Sequence, residues 1–405
     1  MKNSNLFLKN KIHTKFISRK SLNSINKKFE KIYLETKNDI EDTDKTLNVL
    51  SSNFNFNFKI KNFKNFKKFK KIALIGMGGS ILGAEAIYNF LQTKIKKKIY
   101  FFNNLDERKI IDFKKKENQS NVLFIIISKS GNTLETLSNV FLLNILKKKA
   151  KNIIIISEKK NNSLFLLSKK FDLFYIEHKK NVGGRYSVLS EVGILPAYLM
   201  GLNIFKIRSK IKDSFDKKNK FFIKESTTKL ASLMNTKKFN NLVLLNYCPE
   251  LEKFLFWCQQ LLAESLGKKS KGFLPSVSNA PKDHHSLLQL YLDGPKDKIF
   301  NIFSLEKKSN LKINLSKNKN ISSYLNNKKL NKIKISQKNA LIKAFEKKKI
   351  PYREFRIKII NEEILGKLFS IFIVETIILG KLLNINPFDQ PAVEQVKIDT
   401  KDFLI

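Results

Sequence analysis

Residues 122–136 read VLFIIISKSGNTLET, and this stretch decides the fold of the chain. Its first six residues are apolar and rich in β-branched side chains, which is typical of a strand buried on both faces of a parallel sheet. The next six are small, hydroxylated or glycine, with one lysine among them. A helical pattern begins at Leu134, with Asn132 or Thr133 as its capping residue. The sequence therefore predicts a strand, a polar loop and a helix, the repeating unit of an α/β fold.

The polar loop within this stretch is a natural site for an anion. Free backbone N–H groups and the helix dipole both favour a phosphate at a helix N-terminus. The hydroxyls of Ser128, Ser130 and Thr133 add hydrogen-bond donors, and Lys129 adds a positive charge. The alternative is an ordinary turn between a strand and a helix that happens to be polar.

Residues 71–83, KIALIGMGGSILG, form a second unit of the same kind. A short strand over 72–75 leads into a glycine-rich turn and then a helix. The turn lacks the full G-x-G-x-x-G spacing of a dinucleotide site, and no acidic residue follows at the distance needed to hold a ribose. The glycines instead predict close approach of a sugar phosphate to the backbone, with Ser80 donating at the helix start.

The rest of the chain continues the alternation of strands and helices. Further strands are predicted at 98–102 and 152–156, and helices at 134–148 and 164–169, which completes a first parallel sheet. The second half begins with a strand at 241–247 and contains other predicted elements: a helix at 251–264, strands at 299–305 and 350–360, and an apolar helix at 363–383. Ligands of such sheets bind at the carboxyl ends of the strands. An insertion loop is expected at 315–332.

The N-terminal part of the chain carries scattered apolar residues in a background of lysine and asparagine. A helix is predicted over 25–50, and residues 51–70 read as a linker or a phenylalanine-rich edge strand. The candidates for the buried stripe of the helix are Phe29, Ile32, Tyr33, Ile40 and Leu47.

The charge of the chain is extreme, since 78 Lys+Arg against 35 Asp+Glu give a formal net charge of +43. Nearly all of the excess is lysine. One interpretation is binding to nucleic acid or an anionic surface. The other is coding bias, because lysine, asparagine, isoleucine and phenylalanine all have AT-rich codons. The lysines are spread along the whole chain and arginine, favoured in base readout, is scarce. Bias is the better explanation, so no specific nucleic-acid partner is expected.

The chain has two cysteines, Cys248 and Cys258, which favours a reducing compartment over a disulfide framework. No residue pattern is typical of a metal site. The apolar run at 368–379 is too short to span a bilayer and contains Glu375. The first 29 residues are basic and lack acids, as in a transit peptide. Because the rest of the chain is also rich in lysine, this composition is weak evidence for a targeting segment. We expect a cytoplasmic protein without membrane contact, metal or cofactor.

Several residues in these segments break local rules. Arg185 follows two glycines in a loop, where its planar fork can face an oxyanion. Glu264 lies at a helix C-terminus, where the dipole disfavours a carboxylate. His284 and His285 are adjacent and precede a helical run, which suits a proton carrier or a polar cap region. Lys397 lies two turns into a helix that begins near Pro391. Each also has a plain structural explanation as a surface residue.

Six stretches in this order resemble the phosphoglucose isomerase family, whose members have paired sugar-isomerase (SIS) domains. They are GMGGSILG at 76–83, SKSGNTLET at 128–136, VGGRYSVLSEVG at 182–193, QLLAESLGK at 260–268, DHHSLLQ at 283–289 and PFDQPAVEQVK at 387–397. The resemblance implies an α/β fold of two three-layer αβα SIS domains with mainly parallel sheets. It divides the chain into an N-terminal helical peripheral segment at 1–60, SIS domains at 61–205 and 206–385, and an active-site tail at 386–405.

The resemblance also implies a function and a set of site residues. It implies an isomerase that interconverts glucose 6-phosphate and fructose 6-phosphate through a cis-enediolate, without a cofactor. Glu264 matches the general base, Arg185 the arginine beside the enediolate, His285 the histidine of ring opening, and Lys397 the lysine that assists it. The residues that match substrate-binding positions are Gly79, Ser80, Ser128, Lys129, Ser130, Thr133, Glu135, Gly184 and Gln390. The family histidine comes from the other subunit, which implies a homodimer.

The loop SKSGNT is closer to the generic sugar-isomerase loop than to the Ser-Lys-Thr version of long family members. The choice of His285 over His284 rests on alignment of the residues that follow. Two alternatives stay open: an isomerase that also accepts mannose 6-phosphate, and a non-catalytic sugar-phosphate regulator. The regulator would need the phosphate loop (residues 128–133). It would not need Glu264, Arg185, His285 and Lys397, all of which are present.

Overall fold

The computed structural model describes residues 5–306, 309–315 and 323–405 of the 405-residue chain. Its strands form two separate five-stranded sheets. In chain order the strands are β1 (Leu6–Lys11), β2 (Lys71–Ile75), β3 (Lys98–Phe102), β4 (Val122–Ile127), β5 (Ile153–Ser157), β6 (Phe174–Glu177), β7 (Asn241–Asn246), β8 (Leu274–Asn279), β9 (Lys298–Leu305) and β10 (Tyr352–Ile357).

Helices connect the strands and cover the sheets. They are α1 (Arg19–Glu41), α2 (Leu82–Leu91), α3 (Glu107–Lys116), α4 (Leu134–Leu143), α5 (Ser163–Lys170), α6 (Glu191–Leu199), α7 (Ile204–Ser209), α8 (Lys217–Asn235), α9 (Glu252–Leu266), α10 (Leu288–Asp293), α11 (Leu330–Lys348), α12 (Glu362–Leu382) and α13 (Glu394–Asp402). Short 3-10 helices include Thr46–Leu50, Gly78–Ser80, Gly184–Leu189 and Lys282–His284. No helix within the described ranges is long and apolar enough to cross a membrane.

The first sheet has the strand order β3-β2-β4-β5-β6, and all of its pairs are parallel. Every residue of β4 is buried, as its unbroken apolar sequence predicts for a central strand. Ile125 lies beside Leu74 of β2 and Ile154 of β5. Because the strands run the same way, the loops after β2 and β4 leave the sheet at the same edge, which places both motif loops together.

The second sheet has the order β1-β10-β9-β7-β8, with β1 antiparallel and the other pairs parallel. The predicted α/β class with two mainly parallel sheets is therefore confirmed. The N-terminal segment was predicted as helical and peripheral, yet β1 supplies an edge strand of the second sheet by pairing along β10. Strands β6 and β8 were not predicted either.

Two predicted helices are shorter than expected. The helix predicted over 25–50 is α1, which ends at Glu41 and is followed by the short 3-10 helix Thr46–Leu50. The helix predicted over 134–148 ends at Leu143, because Asn144 adopts the left-handed conformation with φ 51°. Of the predicted stripe, Phe29, Tyr33, Ile40 and Leu47 are buried. The insertion loop at 315–332 lies partly outside the described residues, and α11 already begins at Leu330.

Helix α12 is the central helix of the core. It contacts α1, α7, α8 and α9, so it joins the N-terminal helix to both halves of the chain. Trp257 of α9 is 1% exposed and packs edge-on against Phe369 of α12, with 4.8 Å between ring centroids. Burial of aromatic side chains of this size contributes several kilocalories per mole to folding.

A buried ion pair fixes α12 to the second sheet. Arg353 of β10 is 1% exposed and contacts Glu375 of α12 and Ser226 of α8. Its Nε also donates to Asn301 Oδ1 of β9 at 2.8 Å. A guanidinium suits this junction, because its planar group reaches acceptors on three different elements, β9, α8 and α12.

We expect Arg353→Met to lower the free energy of unfolding by roughly 3–5 kcal/mol, because it leaves the Glu375 carboxylate buried without its charge partner. The double variant Arg353→Met/Glu375→Leu removes both charges and should recover most of that loss. Urea unfolding followed by circular dichroism measures both values. A double variant as unstable as the single one would contradict this explanation.

Candidate active site

Three hydroxyl groups lie close together in the loop after β4. Ser128 Oγ lies 2.8 Å from Thr133 Oγ1 and 3.4 Å from Ser130 Oγ, and accepts a hydrogen bond from the Gly131 N–H at 3.1 Å. Gly131 has φ +71°, and a Cβ there would lie 1.8 Å from Asn162 Oδ1. Glycine is therefore required at this turn, which leads directly into the N-terminus of α4.

Lys129 of this loop is bound to another part of the protein. Its ammonium donates to the Lys180 carbonyl at 2.8 Å and lies 3.6 Å from Glu158. Burial lowers the pKa of Lys129, and the nearby carboxylate of Glu158 opposes that effect. Lys129 thus connects the phosphate loop to the segment that precedes the arginine loop, the Gly-Gly-Arg turn at 183–185. Its ammonium does not lie beside the loop hydroxyls.

The glycine turn after β2 meets the arginine loop at close range. A Cβ added to Gly79 would lie 2.3 Å from the carbonyl carbon of Gly184. Ser187 Oγ donates to the Gly79 carbonyl at 3.3 Å. Two motifs that are far apart in the sequence therefore touch through their backbones, and no side chain fits at Gly79. Ser80 and Gly184 lie at this contact and are both partly buried.

Arg185 is the buried centre of the site, with 3% of its surface exposed. Its Nη1 donates to Glu264 Oε2 at 3.3 Å and to Gln390 Oε1 at 2.9 Å. Its Nη2 donates to the carbonyls of Pro387 and Asp389 at 2.5 and 3.0 Å. Its Nε donates to Ser265 Oγ at 2.8 Å. The guanidinium thereby fixes α9 and the C-terminal tail to the arginine loop.

Glu264 lies on the last turn of α9 and is partly accessible. Its side chain is 32% exposed and lines a cavity of about 510 Å³ with Leu82 and Gln260, while the buried Arg185 contacts one of its oxygens. Gln260 Nε2, one helical turn earlier, donates to Glu264 Oε1 at 2.9 Å. Hydrogen bonds to both oxygens fix the carboxylate in one orientation, which a proton-transfer group requires.

The C-terminal tail closes one side of the site. Lys268 donates to the carbonyls of Asn386 and Asp389 at 2.6 and 2.5 Å and pairs with the Asp389 carboxylate at 2.7 Å. The Lys268 ammonium lowers the pKa of Asp389. Tyr186 adds a hydrogen bond to the Pro387 carbonyl at 2.7 Å. These contacts hold Gln390 against Arg185.

A cavity of about 350 Å³ separates the phosphate loop from α13. Ser130, Thr133 and Glu135 line it from one side, and Lys397 lines it from the other. Lys397 is 58% exposed and pairs with Glu394 at 2.7 Å. The structure therefore brings the lysine of the tail to the same cavity as the phosphate loop.

His285 lies apart from these residues. It follows β8, in an exposed turn where Asp283 accepts hydrogen bonds from Ser278 Oγ at 2.9 Å and the Asn279 N–H at 2.7 Å. In the described parts of the chain, no contact joins the His285 ring to Arg185 or Glu264. His284, by contrast, lies 2.6 Å from the Tyr247 hydroxyl, and burial lowers its pKa.

Sequence reasoning found the charged residues of the site but not its supports. Ser265, Tyr186 and Lys268 were not singled out, although each fixes Arg185 or the tail. Ser265 directly follows Glu264, which is the only signal that pointed to it. Across the described residues, no group of three or more His, Cys, Asp or Glu side chains is placed to hold a metal ion.

His178 is buried behind the phosphate loop. It is 1% exposed, and its Nδ1 lies 2.9 Å from the Lys179 carbonyl. Burial, and to a lesser extent the charge of Lys129, lower the pKa of His178 to about 4, although the bond to the Lys179 carbonyl opposes this. The ring is therefore neutral in the folded protein at pH values where an unfolded histidine is charged.

We expect the free energy of unfolding to fall as the pH decreases from about 6.5 to about 4, because the unfolded state then binds a proton that His178 does not. The loss due to this group is about 3 kcal/mol. Asn at position 178 can keep the amide-to-carbonyl hydrogen bond but cannot titrate. Urea unfolding of wild type and His178→Asn at several pH values measures the difference. Parallel pH profiles for the two proteins would contradict the assignment.

The sequence profile of the family described as Phosphoglucose isomerase matches residues 20–402. A glucose-6-phosphate isomerase of Methanocaldococcus jannaschii is 34% identical over 340 residues, which cover 80% of this chain and 82% of that protein. A probable glucose-6-phosphate isomerase of Methanococcus maripaludis is 35% identical over 342 residues, which cover 80% of this chain and 76% of that protein.

Solved structures share the fold. A hypothetical protein from Thermus thermophilus superposes with a TM-score of 0.82 at 22% identity, covering 98% of this chain and 99% of that one. A glucose-6-phosphate isomerase from Chlamydia trachomatis superposes with a TM-score of 0.71 at 19% identity, covering 84% of this chain and 71% of that one. At these identities the structures establish a common architecture.

Proposed function

Because the chain belongs to the phosphoglucose isomerase family, we propose that its site interconverts glucose 6-phosphate and fructose 6-phosphate by moving one proton between C1 and C2. The observation that carries the proposal is the contact of Glu264 with the buried Arg185 at 3.3 Å, where α9 meets the C-terminal tail. A carboxylate oriented by a fixed cation is the arrangement that proton transfer beside a carbonyl requires.

The phosphate end of the substrate is placed on the loop after β4. The N-terminus of α4 and the hydroxyls of Ser128, Ser130 and Thr133 supply donors for its oxygens. Binding energy at this remote end fixes the position of the sugar carbons relative to Glu264. The family's lysine, Lys129, then contributes by holding the loop through Lys180 and Glu158.

The chemical step uses one carboxylate twice. Glu264 removes the proton from C2 of the open-chain aldose, and the C–H electrons form the C1–C2 double bond of an enediolate. Arg185 stabilises the negative oxygen as it develops. The hydroxyl proton of O2 passes to the negative O1 as the proton on Glu264 returns to C1, and the electrons left on O2 form the carbonyl at C2. Each nitrogen of Arg185 is already held by acceptors of the protein, so its positive charge has a fixed position and can act on the oxygen electrostatically.

We expect Glu264→Gln to lower kcat by roughly 10²–10⁴-fold, because the amide cannot accept the C2 proton. Affinity for fructose 6-phosphate should change little, since the phosphate loop is untouched. A coupled assay and calorimetric titration measure the two quantities. Glu35→Gln, an exposed substitution of the same kind on α1, is the control. Turnover retained in Glu264→Gln would show that another group is the base.

Ring opening needs a second proton carrier, and His285 and Lys397 are proposed for it. Lys397 lines the cavity opposite the phosphate loop, so modest movement of α13 brings its ammonium to the sugar. His285 is exposed and makes no contact with the other site residues in the described chain. We therefore propose a homodimer in which the partner subunit supplies this histidine to the cleft.

Mixing two inactive variants tests the shared site. Random association of Glu264→Gln and His285→Gln chains gives mixed dimers with one complete site, so about one quarter of wild-type activity should return. The variants must first be unfolded and refolded together so that subunits exchange. If each chain instead used its own histidine, both sites of every mixed dimer would lack one residue. No recovery would then be seen.

A cytoplasmic location is also proposed. Cys248 and Cys258 are both buried and free, which suits a reducing compartment. Burial also raises the pKa of both thiols, so neither is a reactive thiolate at neutral pH.

A further inference from the structure

A second cleft lies at the edge of the second sheet where its parallel strands begin. The carboxyl ends of these strands lie at the other edge. The cleft has a volume of about 250 Å³ and lies where β9 and β10 begin, beside Phe239, which precedes β7. The loop that carries His285 follows the carboxyl end of β8, on the other edge. The proposed catalytic residues do not line this cleft, so it is a separate feature of the fold.

The walls of the cleft are aromatic. Phe16 and Phe239 meet edge to face with 5.5 Å between ring centroids. Tyr291 and Phe300 meet in the same way at 5.0 Å. Three of these rings are buried, and Phe16 is partly exposed. The partly exposed Phe16 ring can contact a flat apolar ring, and the three buried rings line the cleft behind it.

Five lysines surround these rings, and they come from three separate segments of the chain. They are Lys15, Lys296, Lys298, Lys348 and Lys349. Two of them are neutralised by carboxylates: Lys298 pairs with Asp297 at 2.6 Å and Lys348 lies 3.6 Å from Asp293. Within the described residues, the other three have no carboxylate partner.

Two of these unpaired lysines, Lys15 and Lys349, line the same cleft. Lys15 lies over the Phe16 ring, with its Nζ 4.6 Å from the centroid, which fixes the ammonium at the mouth of the cleft. Partial desolvation and the charge of Lys349 lower the pKa of Lys15. Two neighbouring ammonium groups repel each other, and an anion bound between them would remove that repulsion.

Lysines without a carboxylate partner are common in a chain with a net charge of +43, so this arrangement is distinguished by the aromatic cavity that they surround. On the surface of α8, by contrast, Lys220 and Lys224 both pair with Glu30, at 2.9 and 2.8 Å. In the cleft, three lysines from distant segments converge on aromatic walls without such neutralisation. The combination of unpaired cations and a ring-sized apolar cavity is a specific chemical environment.

We propose that this cleft binds a nucleotide, with the base between the aromatic walls and the phosphates on Lys15, Lys296 and Lys349. The ring contacts supply the apolar part of the affinity, and the lysines supply the electrostatic part. The site is independent of the isomerase function, so failure of one proposal leaves the other unchanged.

Calorimetric titration with ATP tests the proposal on the full chain. Wild type should bind one ATP per chain in the cleft, and Lys15→Glu/Lys349→Glu should bind it at least about tenfold more weakly. The control, Lys61→Glu/Lys64→Glu, changes the net charge by the same amount at exposed positions outside the cleft. The control should bind ATP within about twofold of wild type. Thermal unfolding confirms that both variants fold.

Two further ligands separate the contribution of the base to binding from that of the phosphates. Adenosine lacks the phosphates and inorganic triphosphate lacks the ring, so each should bind more weakly than ATP. Hydrogen exchange locates the ligand: slower exchange at 13–16, 296–300 and 348–351 supports the proposal. Equal weakening by both double variants, triphosphate binding as tight as ATP, or protection confined to 128–136 would each overturn it.

Discussion

The site depends on the hydrogen bonds of one buried guanidinium. Arg185 donates to groups on α9 and on the C-terminal tail, and its own backbone belongs to the loop that touches the glycine turn. Lysine at this position could not reach carboxylate, amide and carbonyl oxygens at once, because its donors radiate from a single nitrogen. The planar fork therefore defines how Glu264 and Gln390 are placed relative to each other.

The same requirement explains where arginine persists in a chain dominated by lysine. Three of its arginines bind groups from distant segments. Arg353 joins β9, α8 and α12, and Arg185 joins the site. Arg208 donates to the carbonyls of Val49, Ser51 and Leu189, and burial lowers its pKa to about 10. At each position a loss of the fork would leave several buried acceptors without a donor, which costs more than exchanging a surface charge.

The elements that the sequence predicted well are those whose pattern reflects burial alone. β4 is apolar and buried at every position, and the polar loop after it leads directly into α4. β1 has the sequence LFLKNK, whose lysine and asparagine hide its alternation, and its pairing with β10 depends on residues at the far end of the chain. β8, with proline and two serines, has neither a continuous nor a clearly alternating apolar pattern.

The candidate site divides in the same way. Ser128, Arg185 and Glu264 stand out because their residue types are unusual for their local positions. The hydrogen bonds from Arg185 to Pro387 and Asp389 could not be predicted from the sequence, because their acceptors are backbone carbonyls, which every residue carries. Lys129 shows the opposite failure: its position in a phosphate loop predicts a ligand contact, whereas tertiary structure directs its ammonium to Lys180 and Glu158.

The position of Lys129 has a consequence for how a strongly basic protein recognises an anion. If the phosphate loop bound its anion through free lysines, every other lysine on the surface would compete with it for the same anion. The affinity of the loop would also fall steeply with salt. Hydroxyl and backbone donors at the N-terminus of α4 have fixed directions and no net charge, so in the proposed site phosphate is recognised by geometry. The excess of lysine on the surface can then raise the local concentration of anionic substrate without determining which anion is bound. The lysine content of the surface can therefore change while the loop remains intact.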